Sequence, residues 1–309
     1  VVSTPDQLHD HRMHPDADGF LTRAAASAAG YSDDEFRRMI ASGEIRKVTT
    51  GIYCPADRFD ALTPTGVHRL RAVAAVRGKR GHAVSHVSAA VLHGLTMWNT
   101  DLGRVHLTAD RATGARRTAT LHVHTGRSTP STTVELGSVP VTSPARTIVD
   151  TARVLDLDHA VVIGDSALRK FAITPDELTD ALERSSRLHN IAAARRAVHR
   201  MNGLSESAGE SLSRLRMEEH GMPTPTLQYR VPLLDFRVDF FWPKLRIIGE
   251  FDGLGKYGGD SRNLAREKAR EDALRDEGYQ VIRWVWRDLW NFAEVFMRFE
   301  RARARALMS

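Results

Sequence analysis

The chain of 309 residues is long enough for two or three domains, and its 42% hydrophobic and 27% charged residues are those of a folded protein. This excludes a wholly disordered, collagen-like or coiled-coil chain; the single cysteine, Cys54, excludes an internal disulfide, and no run of about 18 apolar residues offers a membrane span. The net charge of +6 is unevenly spread: residues 61–130 carry +8 and seven histidines, residues 1–60 carry −3, and the remainder nearly balances. Such a basic stretch is either the footprint of a polyanionic partner or a solvated face.

Residues 1–18 read as a flexible tail without the apolar core of a signal peptide, so a cytoplasmic location is expected. Residues 20–30, rich in alanine and stopped by Gly30, read as a short helix. Ser32 with Glu35 three residues later is a capping box opening a second helix that Gly43 ends. Residues 45–48 and 51–53 alternate as two short strands. Helix, turn, helix and hairpin is the order of a winged helix-turn-helix over 19–60. Its second helix opens with Asp33, Asp34 and Glu35, which repel phosphate, so Arg37, Arg38, Arg46 and Lys47 are its candidate DNA contacts. Packing or protein contact is the alternative use.

A mixed α/β segment over 61–200 follows. It has helices at 67–77 and 85–94, strands at 105–108, 118–125 and 139–141, and helices opened by Ser143-Pro144 and Thr174-Pro175. Arg77, Lys79, Arg80, Arg116 and Arg117 are its candidate phosphate contacts. His82, His86 and His93 read as structural histidines, while His122 and His124 share a strand face and read as surface or phosphate-contacting groups, not ligands. Cys54 reads as a small buried apolar residue.

Over 205–309 the order is α-β-β-β-α-β-α, with strands at 227–231, 236–241, 245–251 and 279–285, and helices at 207–220, 263–277 and 288–306. Two apolar strands deliver Asp239, Glu250 and Asp252 near their ends. If the strands are neighbours, the carboxylates converge, and a hard divalent cation would offset the cost of gathering them. Solvated strand ends are the alternative.

The stretch from Glu210 to Trp286 resembles the restriction-endonuclease-like PD-(D/E)XK superfamily, closest to the branch of very-short-patch repair endonucleases. The residues carrying the resemblance are Glu210-Ser211, Arg237-Val238-Asp239-Phe240, Glu250-Phe251-Asp252-Gly253, Lys256-Tyr257, Glu267-Lys268-x-Arg270-x-Asp272 and Gly278-Tyr279-x-Val281-Ile282-Arg283-Trp284. It implies a nuclease core in which Asp239 and Glu250, with Asp252 beside them, hold Mg²⁺ (or Mn²⁺), and Glu210 supports the site. Asp252 stands where that pattern has lysine, leaving Lys256 or Lys268 to supply the positive charge.

Residues 18–185 resemble AbiEi-like antitoxins of bacterial type IV toxin–antitoxin systems. The likeness rests on Phe20-Leu21-Thr22-Arg23, Gly30-Tyr31, Ile40-x-Ser42-Gly43-Glu44-Ile45, Gly51-Ile52-Tyr53, Ser85-His86-Val87-Ser88-Ala89-Ala90, His93-Gly94-Leu95 and Val141-Thr142-Ser143-Pro144-Ala145-Arg146-Thr147. It implies DNA binding, often as an autorepressor, with a toxin as protein partner. The expected fold is thus an α/β (α+β multidomain) chain: winged helix-turn-helix, basic middle domain and restriction-endonuclease-like domain. The expected function is Mg²⁺-dependent DNA endonuclease activity in a defence, repair or toxin–antitoxin setting. The alternative is a non-catalytic DNA-binding autorepressor or antitoxin. No membrane partner is expected.

Overall fold

A computed structural model describes residues 14–109, 115–126, 129, 131–232, 234, 236–253 and 270–308. The chain is α+β, with three sheets among the described residues, and divides into two compact units. The first comprises the residues before 93 together with Asp101–Ser143, and the second His93–Thr100 together with Pro144–Ser309. No helix among the described residues is long and apolar enough to cross a membrane.

The first unit opens with β1 (Leu21–Thr22) and α1 (Arg23–Ala28), where alanine content predicts a single helix from residue 20. Burial decides this: Phe20 and Leu21 are inside, β1 pairs with β3 (Ile52–Pro55), and extended Thr22 caps α1 by accepting from the Ala25 amide at 3.1 Å. In α2 (Asp33–Ser42) both halves of the Ser32–Glu35 capping box form, and Gly43, at φ 80°, ends the helix. β2 (Ile45–Thr49) completes a sheet of order β1-β3-β2, and Phe36 packs edge-on against Tyr53 at 5.1 Å. Cys54 is fully buried, as its apolar reading implies.

α3 (Ala56–Asp60) leads to α4 (Pro64–Val76), which starts earlier than predicted because Thr63 caps it and Pro64 needs no amide partner. A six-stranded sheet follows, built from β4 (His82–Val84), β5 (Val105–Ala109), β6 (Arg116–Arg117), β7 (Leu121–Thr125), β8 (Thr133–Leu136) and β9 (Val139–Thr142). Its order is β6-β7-β5-β4-β9-β8. β4, β6 and β8 are too short to show alternation and exist because neighbours pair with them. Ala72 and Val76 of α4, with Ala89 and Leu92 of α5 (His86–Leu92), form a core with Val84, Leu107 and Val141.

His68 of α4 is buried in this unit, with Nδ1 at 2.9 Å from the Leu102 carbonyl oxygen and Nε2 at 2.8 Å from Ser88 Oγ. Burial lowers its pKa from the ordinary 6.5. The neutral ring therefore contributes stability above pH 6.5 that is lost on acidification, as the unfolded chain takes up the proton first. Acid denaturation of His68→Gln, followed by circular dichroism, should show a shallower fall below pH 6.5 than the wild type. Parallel curves would refute this.

The second unit starts with α6 (Pro144–Ala152), α7 (Leu157–Lys170), α8 (Pro175–Arg184) and α9 (Ile191–Arg200), packed through Ala152, Ala160, Ala181, Ala194 and Ala197. α9 starts after Asn190, a residue type favoured at helix starts, although its side chain makes no cap bond here. Next come α10 (Ala208–Glu219), β10 (Thr226–Val231), β11 (Phe236–Trp242) and β12 (Ile247–Asp252). They are followed by α11, helical over the described residues 270–276, then β13 (Gln280–Val285) and α12 (Ala293–Met308). The predicted helix 288–306 is instead a 3₁₀ turn, Trp286–Trp290, and then α12. Asp288 turns back to accept the Val285 amide at 3.0 Å, which fixes that turn.

The strands form a sheet of order β10-β11-β12-β13, antiparallel except for the parallel β12–β13 pair. Leu212 and Leu215 of α10 and Val295 and Phe299 of α12 share one core with Phe240, Ile247 and Trp284. Val238, Phe241 and Ile248 form another with Leu274. Among the described residues the order is α-β-β-β-α-β-α, as read from the apolar pattern, and residues 263–269 of the predicted helix lie outside them.

Candidate functional site

β11 and β12 are neighbours, and their register pairs Phe240 with Gly249. Continuing that antiparallel register by one residue brings Asp239 beside Glu250. Asp239 Oδ2 accepts the Phe251 amide at 2.9 Å. Glu210, in the first turn of α10, faces the same cleft of about 300 Å³, whose lining also includes Ser207, Arg237, Phe251, Arg270 and Trp286.

Each carboxylate is held by a different partner. Glu210 accepts from Ser207 Oγ, the Glu206 amide and Gln228 Nε2, each at 2.8 Å. Glu250 accepts from Arg270 Nη2 at 2.8 Å, and the same guanidinium donates to the Arg237 carbonyl at 2.7 Å. Asp252 is not among the cleft-lining residues; its Oδ2 stands 3.6 Å from Arg283 Nη1. Burial pushes Glu250 above the usual carboxylate range; Arg270 pulls against it, and Asp239 adds to it. Burial likewise pushes Glu210 up, the Glu206 amide opposes, and Asp239 again adds. Two buried carboxylates whose charged forms are disfavoured, opening on one cleft, are what a cation-binding or acid–base site needs.

The donor set fits a hard divalent ion. It is made of carboxylate oxygens, with no sulfur and no imidazole; the oxygens of Asp239, Glu250 and Glu210 do not all lie within 4.8 Å of one another, so the ion's place is between Asp239 and Glu250, where it would offset the penalty that burial imposes on Glu250. Lys256 and Lys268 lie outside the described residues. Arg237 and Arg270 are the cleft's described cations, and the sequence reading did not assign them there. The signal for Arg237 was available, because a residue two before Asp239 on a strand shares its face. Arg270 was quoted only as part of the resemblance and read as orienting its helix, since its place at the cleft depends on how α11 packs.

Beside the cleft is an aromatic ledge. The Trp286 ring meets Phe251 edge-on at 5.3 Å and lies parallel to Trp98 at 6.1 Å, and Trp98 stacks on the exposed Trp290 at 5.8 Å. Gly209 makes room for it: a Cβ there would lie 1.9 Å from Phe251 Cε1. Gly209→Ala should therefore displace Phe251 and cost about 1–3 kcal/mol by overpacking, despite alanine's better helix propensity. Urea denaturation checks this, and an unchanged or raised midpoint would refute it.

The basic candidates lie in the first unit. Arg77, Lys79 and Arg80 line a cleft of about 480 Å³ with Gly78, Val139 and Pro140. Arg77 is paired with Asp16 and lies over the Phe20 ring at 5.6 Å. Lys79 is lowered by burial and then by Arg116, so two cations are held near each other. Arg116 and Arg117 form the exposed edge strand β6. In the N-terminal part, Arg37 pairs with Asp34 at 2.9 Å, and Arg46 grips Asp60 through two nitrogens at 3.1 and 2.9 Å. Arg38 and Lys47 are exposed.

The chain is 31% identical over 247 residues, 79% of its length and 86% of theirs, to two uncharacterized proteins of Mycobacterium tuberculosis: MT2308 from strain CDC 1551 / Oshkosh and Rv2248 from strain ATCC 25618 / H37Rv. Among solved structures it is similar to the RV2827C protein of Mycobacterium tuberculosis, at 15% identity and a TM-score of 0.36, over 59% of this chain and 76% of that one. No family model matches the chain.

Proposed function

The chain belongs to the same family as the Mycobacterium tuberculosis proteins MT2308 and Rv2248, and we propose that it is a DNA-binding protein whose C-terminal cleft hydrolyses DNA phosphodiester bonds with Mg²⁺ or Mn²⁺. The observation that carries this reading is the convergence of Glu210, Asp239 and Glu250, from α10, β11 and β12, on one cleft that also holds Arg237 and Arg270. It agrees with the resemblance of residues 210–286 to restriction-endonuclease-like enzymes. Asp239 and Glu250 would hold the ion, whose chemistry is to lower the pKa of bound water and draw charge from a phosphate.

The chain's own residues do the rest. Arg237 and Arg270 are suited to hold phosphate oxygens at the cleft, since a guanidinium fork matches phosphate. Glu210 is braced by the Glu206 amide and Ser207 at the N-terminus of α10, where the helix dipole favours a carboxylate. The Trp286–Trp98–Trp290 ledge offers rings on which bases can stack. Arg77, Lys79, Arg80, Arg116 and Arg117, with a winged helix-turn-helix over residues 19–60, would supply backbone contacts and hence salt-dependent affinity.

The test is incubation of the full chain with supercoiled plasmid and with mismatched or branched duplexes in Mg²⁺, Mn²⁺ or EDTA. Asp239→Ala and Glu250→Ala serve as controls. Metal-dependent cleavage by the wild type alone supports the reading; equal cleavage by all three chains overturns it.

A second reading is favoured by one observation: Glu250 is paired with Arg270, and Asp252 with Arg283. Such a cleft could be structural, and the chain a DNA-binding autorepressor or antitoxin with a toxin partner. DNA retention by Glu250→Ala, with no cleavage of any substrate by the wild type, supports this reading.

A further inference from the structure

The six-stranded sheet gathers histidines that lie far apart in sequence. His106 is on β5, and His122 and His124 are on β7, which runs parallel to β5 with His106 opposite His122 and Thr108 opposite His124. His86 opens α5 and stacks on the His124 ring at 3.7 Å. One nitrogen from each of His86, His106 and His124 lies within 4.8 Å of the other two, and His106 Nδ1 is 3.0 Å from His124 Nε2. We propose that His86, His106 and His124 form a binding site for a borderline divalent transition-metal ion, foremost Zn²⁺, separate from the carboxylate cleft.

Four-coordinate zinc with nitrogen bonds near 2.0–2.1 Å sets neighbouring ligand nitrogens about 3.3 Å apart, so small ring rotations bring this triad to that spacing. Three imidazoles without a carboxylate select Zn²⁺, Co²⁺, Ni²⁺ or Cu²⁺ and disfavour Mg²⁺ and Ca²⁺. His86 Nδ1 lies 2.9 Å from Ser85 Oγ, which assigns Nε2 as its ligand atom and provides the outer hydrogen bond that orients metal-binding histidines. The His86 backbone adopts φ 52°, in the left-handed region, and the residue is buried. A non-glycine residue kept in that region is over-determined by its surroundings, as at binding sites. His122 packs on His124 at 3.8 Å but is outside the group of three whose nitrogens meet. The ion would tie the start of α5 to β5 and β7, and its readout is stability as well as binding.

The experiment titrates chelator-stripped full chain with Co²⁺ and then Zn²⁺, reading visible absorption and melting temperature. The expected result is one Co²⁺ per chain with tetrahedral ligand-field bands, displacement by Zn²⁺, and a raised melting temperature. His106→Gln and His124→Gln should each weaken Co²⁺ binding by about a hundredfold or more. Circular dichroism of the metal-free variants separates a lost ligand from a lost fold, and both residues are partly exposed. His9, His11 and His14 form another histidine-rich run in the sequence. The triple variant His9→Gln/His11→Gln/His14→Gln should therefore bind as the wild type does. No binding by the wild type, wild-type binding by a folded His124→Gln chain, or loss of binding in the triple variant would overturn the proposal.

Discussion

Glu250→Gln is expected to lower Mg²⁺-dependent DNA cleavage by about a hundredfold or more without lowering the melting temperature. The loss follows from the role proposed for Glu250 as an oxygen donor to the ion. Glutamine keeps the shape but removes the charge. Stability should hold because burial already disfavours the charged carboxylate, so an uncharged amide relieves a cost. Arg270, which loses its carboxylate partner, still donates to the Arg237 carbonyl and is partly exposed. Asp239→Ala should lose cleavage to the same degree. Cleavage within about threefold of wild type in both variants, at matched metal concentration, would remove these residues from the reaction. A fall in melting temperature alongside lost activity would mark the carboxylates as structural and favour the regulator reading.

Arg214→Ala is expected to destabilise the second unit by about 3–5 kcal/mol, because it leaves a buried carboxylate unpaired. Asp165 of α7 is fully buried, with Oδ2 accepting from Arg214 Nη2 at 2.6 Å and Oδ1 from the Asn202 amide at 2.7 Å. Arg214 also donates to Ser205 Oγ and to the Arg200 carbonyl, each at 2.9 Å, so one guanidinium joins α7, α9 and the start of α10. Burial pushes Asp165 above its ordinary range, and Arg214 is the largest opposing influence. In a unit of this size the loss corresponds to roughly 10 °C in melting temperature. The double variant Asp165→Asn/Arg214→Met should recover most of it, since replacing both partners removes the stranded charge. A loss below about 1 kcal/mol in Arg214→Ala would show that the pair is solvated.

The carboxylate cleft was legible in sequence to the extent that it depends on strand periodicity. Short apolar runs identified β11 and β12, and two apolar strands carrying Asp239 and Glu250 near their ends could be read as converging. Asp252 was grouped with them because residues 250 and 252 share a face, but across the parallel pair β12–β13 its partner is Arg283. The histidines show the opposite case. The sequence reading took His86 as structural and His124 as a surface group, whereas the close cluster joins His86 to His106 and His124 across 38 residues. No local spacing announces such a cluster.

What the sequence by itself determined is whatever acts over a few residues. The Ser32–Glu35 and Thr174–Glu177 capping boxes, the glycine stop at Gly43, the apolar strands of the second unit and the uneven charge all follow from neighbouring side chains. What only the tertiary structure decided is whatever needs distant partners. It turned Leu21–Thr22 into a strand against β3, made β4, β6 and β8 by pairing, moved Arg270 onto Glu250, and brought three histidine nitrogens together. The physical reason is that hydrogen-bonded pairing and burial of charge gain free energy only once the partner surface exists, and that surface is supplied by segments tens of residues away.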